Sequence, residues 1–366
     1  MGDLTLVTIL GTRPEIIKLS PLIRRCDENG VSNKVVHTGQ HYSANLDSIF
    51  FEQLDLPTPN YNLEVGSDIH GRQTAEMLRK IENIVVDENP DVVLVQGDTN
   101  SVLAGALATA KLDSELGHIE AGLRSFDREM PEEVNRVLTD HAADFLFAPT
   151  EKSRELLLSE GIPDRKITVT GNTIVDAVEQ HRRIAADKSS ILSENNLTPG
   201  AFALMTAHRA ENVDDRERFS NILRGAHSFA NETGLDIVYP IHPRAENRVS
   251  EFDLPIPETI ETIEPQDFLD FLHLENSAKV ILTDSGSVQE EACILNTPCV
   301  TMRTSTERPE TLDVGANTLV GTHPEGIRSG AKSMLTVTPN WPNPFGDGTA
   351  AEGILDELAE SVEGNH

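Results

Sequence analysis

Short runs of apolar, largely β-branched residues recur along the chain at 4 to 10, 33 to 38, 92 to 97, 116 to 119, 145 to 148 and 167 to 170. Between them lie longer stretches with apolar positions three and four residues apart, such as Pro14 to Arg25, Gly71 to Asp87 and Thr99 to Lys111. A buried strand followed by an amphipathic helix, repeated, is the alternation of a doubly wound parallel sheet. A second series at 202 to 206, 236 to 240, 279 to 283, 298 to 302 and 317 to 320 repeats the pattern. Two similar α/β domains are therefore expected. The polar segment from Asp187 to Gly200 is a candidate boundary loop, and the turn at Gly171 and Asn172 is an alternative hinge. A last helical pattern, Ala350 to Val362, follows a glycine-rich turn at 343 to 348.

With 366 residues, each of two domains can bury its own core. Sixty acidic against thirty basic residues give a formal charge of -30, which excludes a surface built for nucleic acid or anionic membrane. The basic set is 21 arginines and nine lysines. Such a lysine-poor, acidic composition predicts adaptation to concentrated salt, where the Debye length falls to roughly 3 Å and self-repulsion is screened. Cys26, Cys293 and Cys299 form no CxxC pair and imply no disulfide framework, as expected of a cytoplasmic protein. The apolar start, Leu4 to Leu10, follows Asp3 without a basic leader and reads as a core strand, not a signal peptide. No run approaches membrane-spanning length.

In open α/β sheets ligands bind beyond the carboxyl ends of the strands, so the residues just after each apolar run carry the chemistry. The run Val280 to Thr283 leads into Asp284-Ser285-Gly286-Ser287 and then a helix. A helix N-terminus offers unpaired N–H groups and about half a positive charge, and Ser285 and Gly286 let a phosphate approach it. Glu290 and Glu291 follow, placed by this reading in the first turn, where a carboxylate reaches ribose hydroxyls. An ordinary cap by Ser285 is the plain alternative. Gly11-Thr12-Arg13-Pro14-Glu15-Ile16-Ile17-Lys18 sets two cations at the first strand end. Neither GxGxxG nor a Walker lysine pattern is present. Asp98, Glu120 and either Glu132 or Glu133 collect carboxylates on one sheet edge, where like charges raise one another's pKa and can make an acid and a base. The plain alternatives are a helix cap at Asp98 and a pair between Glu120 and Arg124. His208-Arg209, His242-Pro243-Arg244 and Arg303 to Arg308 supply further cations. His37 and His41 stand four apart, but no third ligand accompanies them, so no metal site is expected.

The motifs GTRPEIIK at 11 to 18, HTGQHY at 37 to 42, QGDTN at 96 to 100, HIEAGLRSFDREMPEEVNR at 118 to 136, GNTIVDA at 171 to 177, AHRAEN at 207 to 212, TDSGSVQEEA at 283 to 292, TERPET at 306 to 311 and NPFGDG at 343 to 348 cover the chain nearly end to end. In these the chain resembles the non-hydrolysing UDP-N-acetylglucosamine 2-epimerases, in particular their archaeal members. The resemblance implies two Rossmann-like doubly wound parallel-sheet domains facing a cleft, in the glycosyltransferase-B arrangement, at 1–172 and 173–349. It implies that the helix 350–366 packs back on the first domain, that the chain forms a homodimer, and that it needs no cofactor. It also implies C2 epimerisation of a UDP-sugar by loss of UDP to 2-acetamidoglucal and its re-addition. By motif position, Asp98, Glu120 and Glu132 resemble the acid/base carboxylates. Arg13, Lys18, His208, Ser285, Gly286 and Arg308 resemble the groups around the UDP phosphates, and Glu291 the ribose ligand. The sister epimerases of UDP-2,3-diacetamido-2,3-dideoxyglucuronate share HTGQHY and HRAEN, whereas GTRPE and ERPE favour the first branch. A glycosyltransferase is the more distant alternative. Ala210 and Ser43 depart from bacterial relatives at a region used for substrate activation, which is therefore not expected here. Ser287 replaces the usual glycine and is strained if its φ is positive.

Overall fold

The structure is a computed structural model and describes residues 4–40 and 50–364. His41 and Ser43 lie outside the described residues. The chain divides into two compact units, one formed by residues up to Ala177 together with those from Phe345 onward, the other by Val178–Pro344.

The first unit holds strands β1 (Thr5–Leu10), β2 (Ser32–His37), β3 (Tyr61–Asn62), β4 (Val92–Gln96), β5 (Glu115–Ile119), β6 (Phe145–Ala148) and β7 (Ile167–Val169). They pair in parallel in the order β3-β2-β1-β4-β5-β6-β7. The order reverses between β1 and β4, which opens a crevice at their carboxyl ends. Val92 to Val95 are wholly buried because helices cover both faces of the sheet, so the strand shows a continuous apolar run and no alternation. Gly11 sits where the chain leaves β1. A Cβ there would lie 2.2 Å from both Ser101 Oγ and Thr38 Oγ1, so the close approach of these segments requires glycine.

The second unit holds β8 (Phe202–Met205), β9 (Asp236–Pro240), β10 (Ile260–Ile263), β11 (Val280–Thr283), β12 (Cys299–Thr301) and β13 (Asn317–Leu319). Its parallel order is β10-β9-β8-β11-β12-β13, with the switch between β8 and β11. Both units are thus Rossmann-like doubly wound sheets. The hydrophobic pattern foresees neither β3 nor β10. Both are edge strands, and β10 is apolar only at its ends, Ile260 and Ile263, around exposed Glu261 and Thr262. The polar segment Asp187 to Gly200 includes one helical turn, Ile191–Glu194, anchored by buried Ile191.

The division between units falls inside the helix Thr173–Lys188. The final helix, Ala350–Gly364, belongs to the first unit, where the Asp176 carboxylate accepts from the N–H groups of Ala350 and Ala351 at 3.3 and 3.0 Å. These are orphan donors of its first turn. The preceding turn is fixed by the Asn172 N–H donating to the Phe345 carbonyl at 2.8 Å.

Candidate functional site

In the first unit the helix Arg13–Glu28 starts with Thr12 as N-cap and Glu15 at its third position. The Glu15 carboxylate accepts from the Gly11 and Thr12 N–H groups, both at 2.7 Å, from the Thr12 hydroxyl at 3.0 Å and from the Thr99 hydroxyl at 2.6 Å. One buried side chain therefore holds the turn after β1 and ties it to the turn after β4. Burial pushes Glu15 up to about 7 against the pull of those four donors. Arg13, next to the cap, is exposed, and its guanidinium lies 5.8 Å from the centre of the Phe50 ring.

After β4 come Gly97, Asp98 and Thr99, the last capping the helix Asn100–Thr109 through Val102 N–H. The Asp98 carboxylate is bound by the Arg136 guanidinium, and its backbone carbonyl accepts from Asn135 at 2.9 Å. The helix Pro131–Ala142 supplies both partners. The same helix separates Glu132 from Glu133. Glu133 is buried and accepts from Ser125 N–H and hydroxyl at 2.9 Å and from Phe126 N–H at 3.0 Å, with Arg136 3.2 Å away. These donors hold its carboxyl below the usual range despite burial. Glu133 builds the loop, while Glu132 is exposed. Arg13, Asp98 and Glu132, with Gln40, His70 and Asn135, line one cavity of about 660 Å³ at the β1/β4 switch point.

Glu120 follows β5 with φ 69°, a left-handed conformation that a non-glycine residue adopts at a cost of about 1 kcal/mol or more. Its carboxylate is surrounded by donors: Lys18 Nζ at 2.6 Å, Asn172 Nδ2 at 3.0 Å and Gln96 Nε2. The alternative partner, Arg124, instead binds Asp140 at 2.7 Å and Glu160 at 2.6 Å. Asp98 and Glu120 thus each have a cation of their own and do not form a bare pair of like charges. Beneath them His118 is fully buried, with Nδ1 2.7 Å from Asp140 and Nε2 2.8 Å from the Gly97 carbonyl, between the two carboxylate-bearing turns. Burial alone would raise Asp140, but His118 and Arg124 hold it below the ordinary carboxylate range.

In the second unit Asp284, fully buried, joins the turns after β8 and β11. It accepts from the N–H groups of His208 and Arg209 and from Asn212 Nδ2, all within 3.2 Å, and its other close partner is His208 Nδ1 at 3.0 Å. Burial pushes Asp284 up, yet His208 and the other donors bring it below the usual range. This leaves His208 half exposed beside the N-terminus of the helix Gly286–Ile294. Ser285 is the N-cap of that helix, yet its hydroxyl makes no capping bond and instead lies 3.2 Å from the Ser287 hydroxyl. Ser287 falls within the helix and is absent from the positive-φ positions, so its side chain carries no left-handed strain. Glu290 and Glu291 occupy the fifth and sixth helical positions, one turn later than the sequence reading placed them, because the helix begins at Gly286. Arg308 pairs with Glu290 at 2.6 Å, and Arg303 makes two 2.8 Å bonds to Glu307. Among the described residues no cluster of metal-ligating side chains occurs, and no helix is long and apolar enough to cross a membrane.

Reasoning from sequence overlooked Arg136, Asn172, Gln96 and the ties made by Glu15 and Asp284. The Glu15 tie was legible as a capping box, Thr12-Arg13-Pro14-Glu15. The others depend on which strand ends become neighbours.

A family model described as UDP-N-acetylglucosamine 2-epimerase matches residues 24–359. A UDP-N-acetylglucosamine 2-epimerase of Methanocaldococcus jannaschii is 52% identical over 353 residues, covering 95% of this chain and 96% of its own. The solved structure of the enzyme from that organism superposes with a TM-score of 0.91 over 98% of this chain and 100% of its own, at 50% identity. Another, in complex with UDP-GlcNAc and UDP, gives 0.83 at 52% identity with the same coverage. A UDP-2,3-diacetamido-2,3-dideoxy-D-glucuronate 2-epimerase of Pseudomonas aeruginosa is 39% identical over 362 residues, covering 97% of this chain and 99% of its own. On the extent of these matches, the chain belongs to the UDP-N-acetylglucosamine 2-epimerase family.

Proposed function

We propose that the chain interconverts UDP-N-acetylglucosamine and UDP-N-acetylmannosamine by inversion at C2 of the sugar. The observation that carries this reading is the cavity at the β1/β4 switch point, which Arg13, Asp98 and Glu132 all line. The C2 hydrogen has no neighbouring carbonyl to acidify it, so inversion without a redox cofactor needs a leaving group whose departure assists proton loss. UDP expelled from C1 fills that role and leaves 2-acetamidoglucal. Reprotonation on the opposite face and re-addition of UDP complete the cycle. Asp98, Glu120 and Glu132 are the acid/base candidates, and proton transfer by a placed group contributes about 10²- to 10⁴-fold. Arg13, Lys18, His208, Ser285, Gly286 and Arg308 stabilise the charge that develops on departing UDP, and Glu291 holds the ribose. In the described state Lys18 and Arg308 are paired with Glu120 and Glu290, so this role requires both cations to be shared with or released to the phosphates.

The 39%-identical relative keeps the 2,3-diacetamido glucuronate as a second reading. Incubation with each nucleotide sugar separates them: turnover of UDP-N-acetylglucosamine is expected, and turnover of the glucuronate alone would overturn the first. Homodimerisation, a cytoplasmic setting and a halophilic origin belong to the same proposal. The charge of -30 supports the last, and a gain in activity between dilute buffer and molar KCl is its expected mark.

A further inference from the structure

Glu275 lies on the helix Phe268–Ser277 and is 0% exposed, and neither of its carboxyl oxygens meets a hydrogen-bond donor. An unpaired carboxylate is among the least favourable groups a core can hold. The group it faces is Glu291, on the packed helix Gly286–Ile294, within hydrogen-bonding reach and itself only 8% exposed. Two ionised carboxylates both accept and neither donates, so this contact becomes a bond only through a proton. Burial first, and the Glu291 charge second, push Glu275 well above the ordinary carboxyl range, so the proton resides on Glu275. The backbone of Glu275 is fixed as well, its carbonyl accepting from the Thr297 hydroxyl at 3.0 Å.

We infer that Glu275 is a positioning residue, a neutral acid that donates its O–H to Glu291 and so orients the Glu291 carboxylate toward the ribose hydroxyls of the bound uridine nucleotide. The inference rests on the reading of Glu291 as the ribose ligand. Glu291 is the more exposed member of the pair, at 8%, and stands on the helix that begins at Gly286, whereas Glu275 has no exposed surface. A single carboxylate on a long, free side chain would lose rotamer entropy on binding. One held from behind by a donor has lost it already.

Isothermal titration of the intact chain with UDP and with 2′,3′-dideoxy-UDP tests both layers. The wild type is expected to prefer UDP, and Glu291→Ala to lose that preference. Glu275→Met, which removes the donor and leaves an apolar side chain of similar size, is expected to weaken UDP about tenfold while leaving dideoxy-UDP unaffected, the loss of one charge-assisted hydrogen bond. Glu275→Gln keeps an N–H donor and is expected to restore the preference. If Glu275→Gln loses the ribose preference, or if a folded Glu275→Met keeps it while Glu291→Ala does not, the positioning role is overturned. If Glu291→Ala keeps the full preference, the ribose reading of Glu291 itself fails.

Discussion

Replacing Glu120 with Gln changes one atom type at a residue held by a left-handed backbone and a buried ion pair. The carboxylate stands 2.6 Å from Lys18 Nζ, with side-chain exposures of 6% and 16% for the two partners. At that distance and an effective dielectric of 20, the gross attraction is about 6 kcal/mol. Desolvation of two largely buried charges cancels several kcal/mol of this, leaving a net coupling of about 2–3 kcal/mol. Because Lys18 keeps some solvent, its unpaired ammonium is partly rehydrated in Glu120→Gln, so that variant alone is expected to lose about 2 kcal/mol. Lys18→Met with Glu120→Gln completes a double-mutant cycle, read by urea denaturation. Glu120→Gly adds a separate handle, since it removes the charge but also relieves the left-handed backbone by about 1 kcal/mol. It is expected to be less destabilised than Glu120→Ala, which loses the charge and keeps the strained φ of 69°. A coupling below about 0.5 kcal/mol between positions 18 and 120 would refute the claim that this pair is an energetic unit. So would Glu120→Gly being the less stable of the two truncations.

Three further outcomes follow from the same structure. Gly11→Ala places a Cβ 2.2 Å from two hydroxyl oxygens and is expected to cost about 1–3 kcal/mol by thermal melting, with Ser101→Ala, which removes one of them, partly restoring it. Glu15 has its carboxyl raised from 4.5 to about 7, so its contribution is present below 4.5 and lost as pH rises through 7; relative to Glu15→Gln, the wild type should lose about 3 kcal/mol across that window in denaturation curves. Asp284 has its carboxyl lowered, so its contribution is present above 3.8 and disappears as pH falls through its folded value. Asp284→Asn should be destabilised near neutrality and show a flatter acid limb than the wild type.

The doubly wound architecture was readable because buried parallel strands are apolar throughout and their helices are amphipathic, which leaves two clear periods in the chain. The edge strands β3 and β10 were not, since one has two residues and the other keeps two polar positions among four. Candidate residues were readable to the extent that strand ends attract function: Asp98, Arg13 and Glu132 do line one cavity. Their partners were not readable. Lys18 meets Glu120 across 102 positions of sequence and Asp284 meets His208 across 76, and only the strand order brings such residues together. Helix phase was the other blind spot. With the helix starting at Gly286, Glu291 moves to its second turn and turns toward Glu275, which by sequence is one more acidic position in an acidic chain.

The most direct test of the account is proton NMR of UDP-N-acetylglucosamine in D₂O with the wild type, Asp98→Asn and Glu132→Gln. The wild type should build up the manno epimer and exchange the C2 hydrogen for deuterium, and each variant should slow both by about 10²- to 10⁴-fold while remaining folded. Epimerisation that retains the C2 hydrogen, or wild-type exchange in both variants, would contradict proton abstraction at this site.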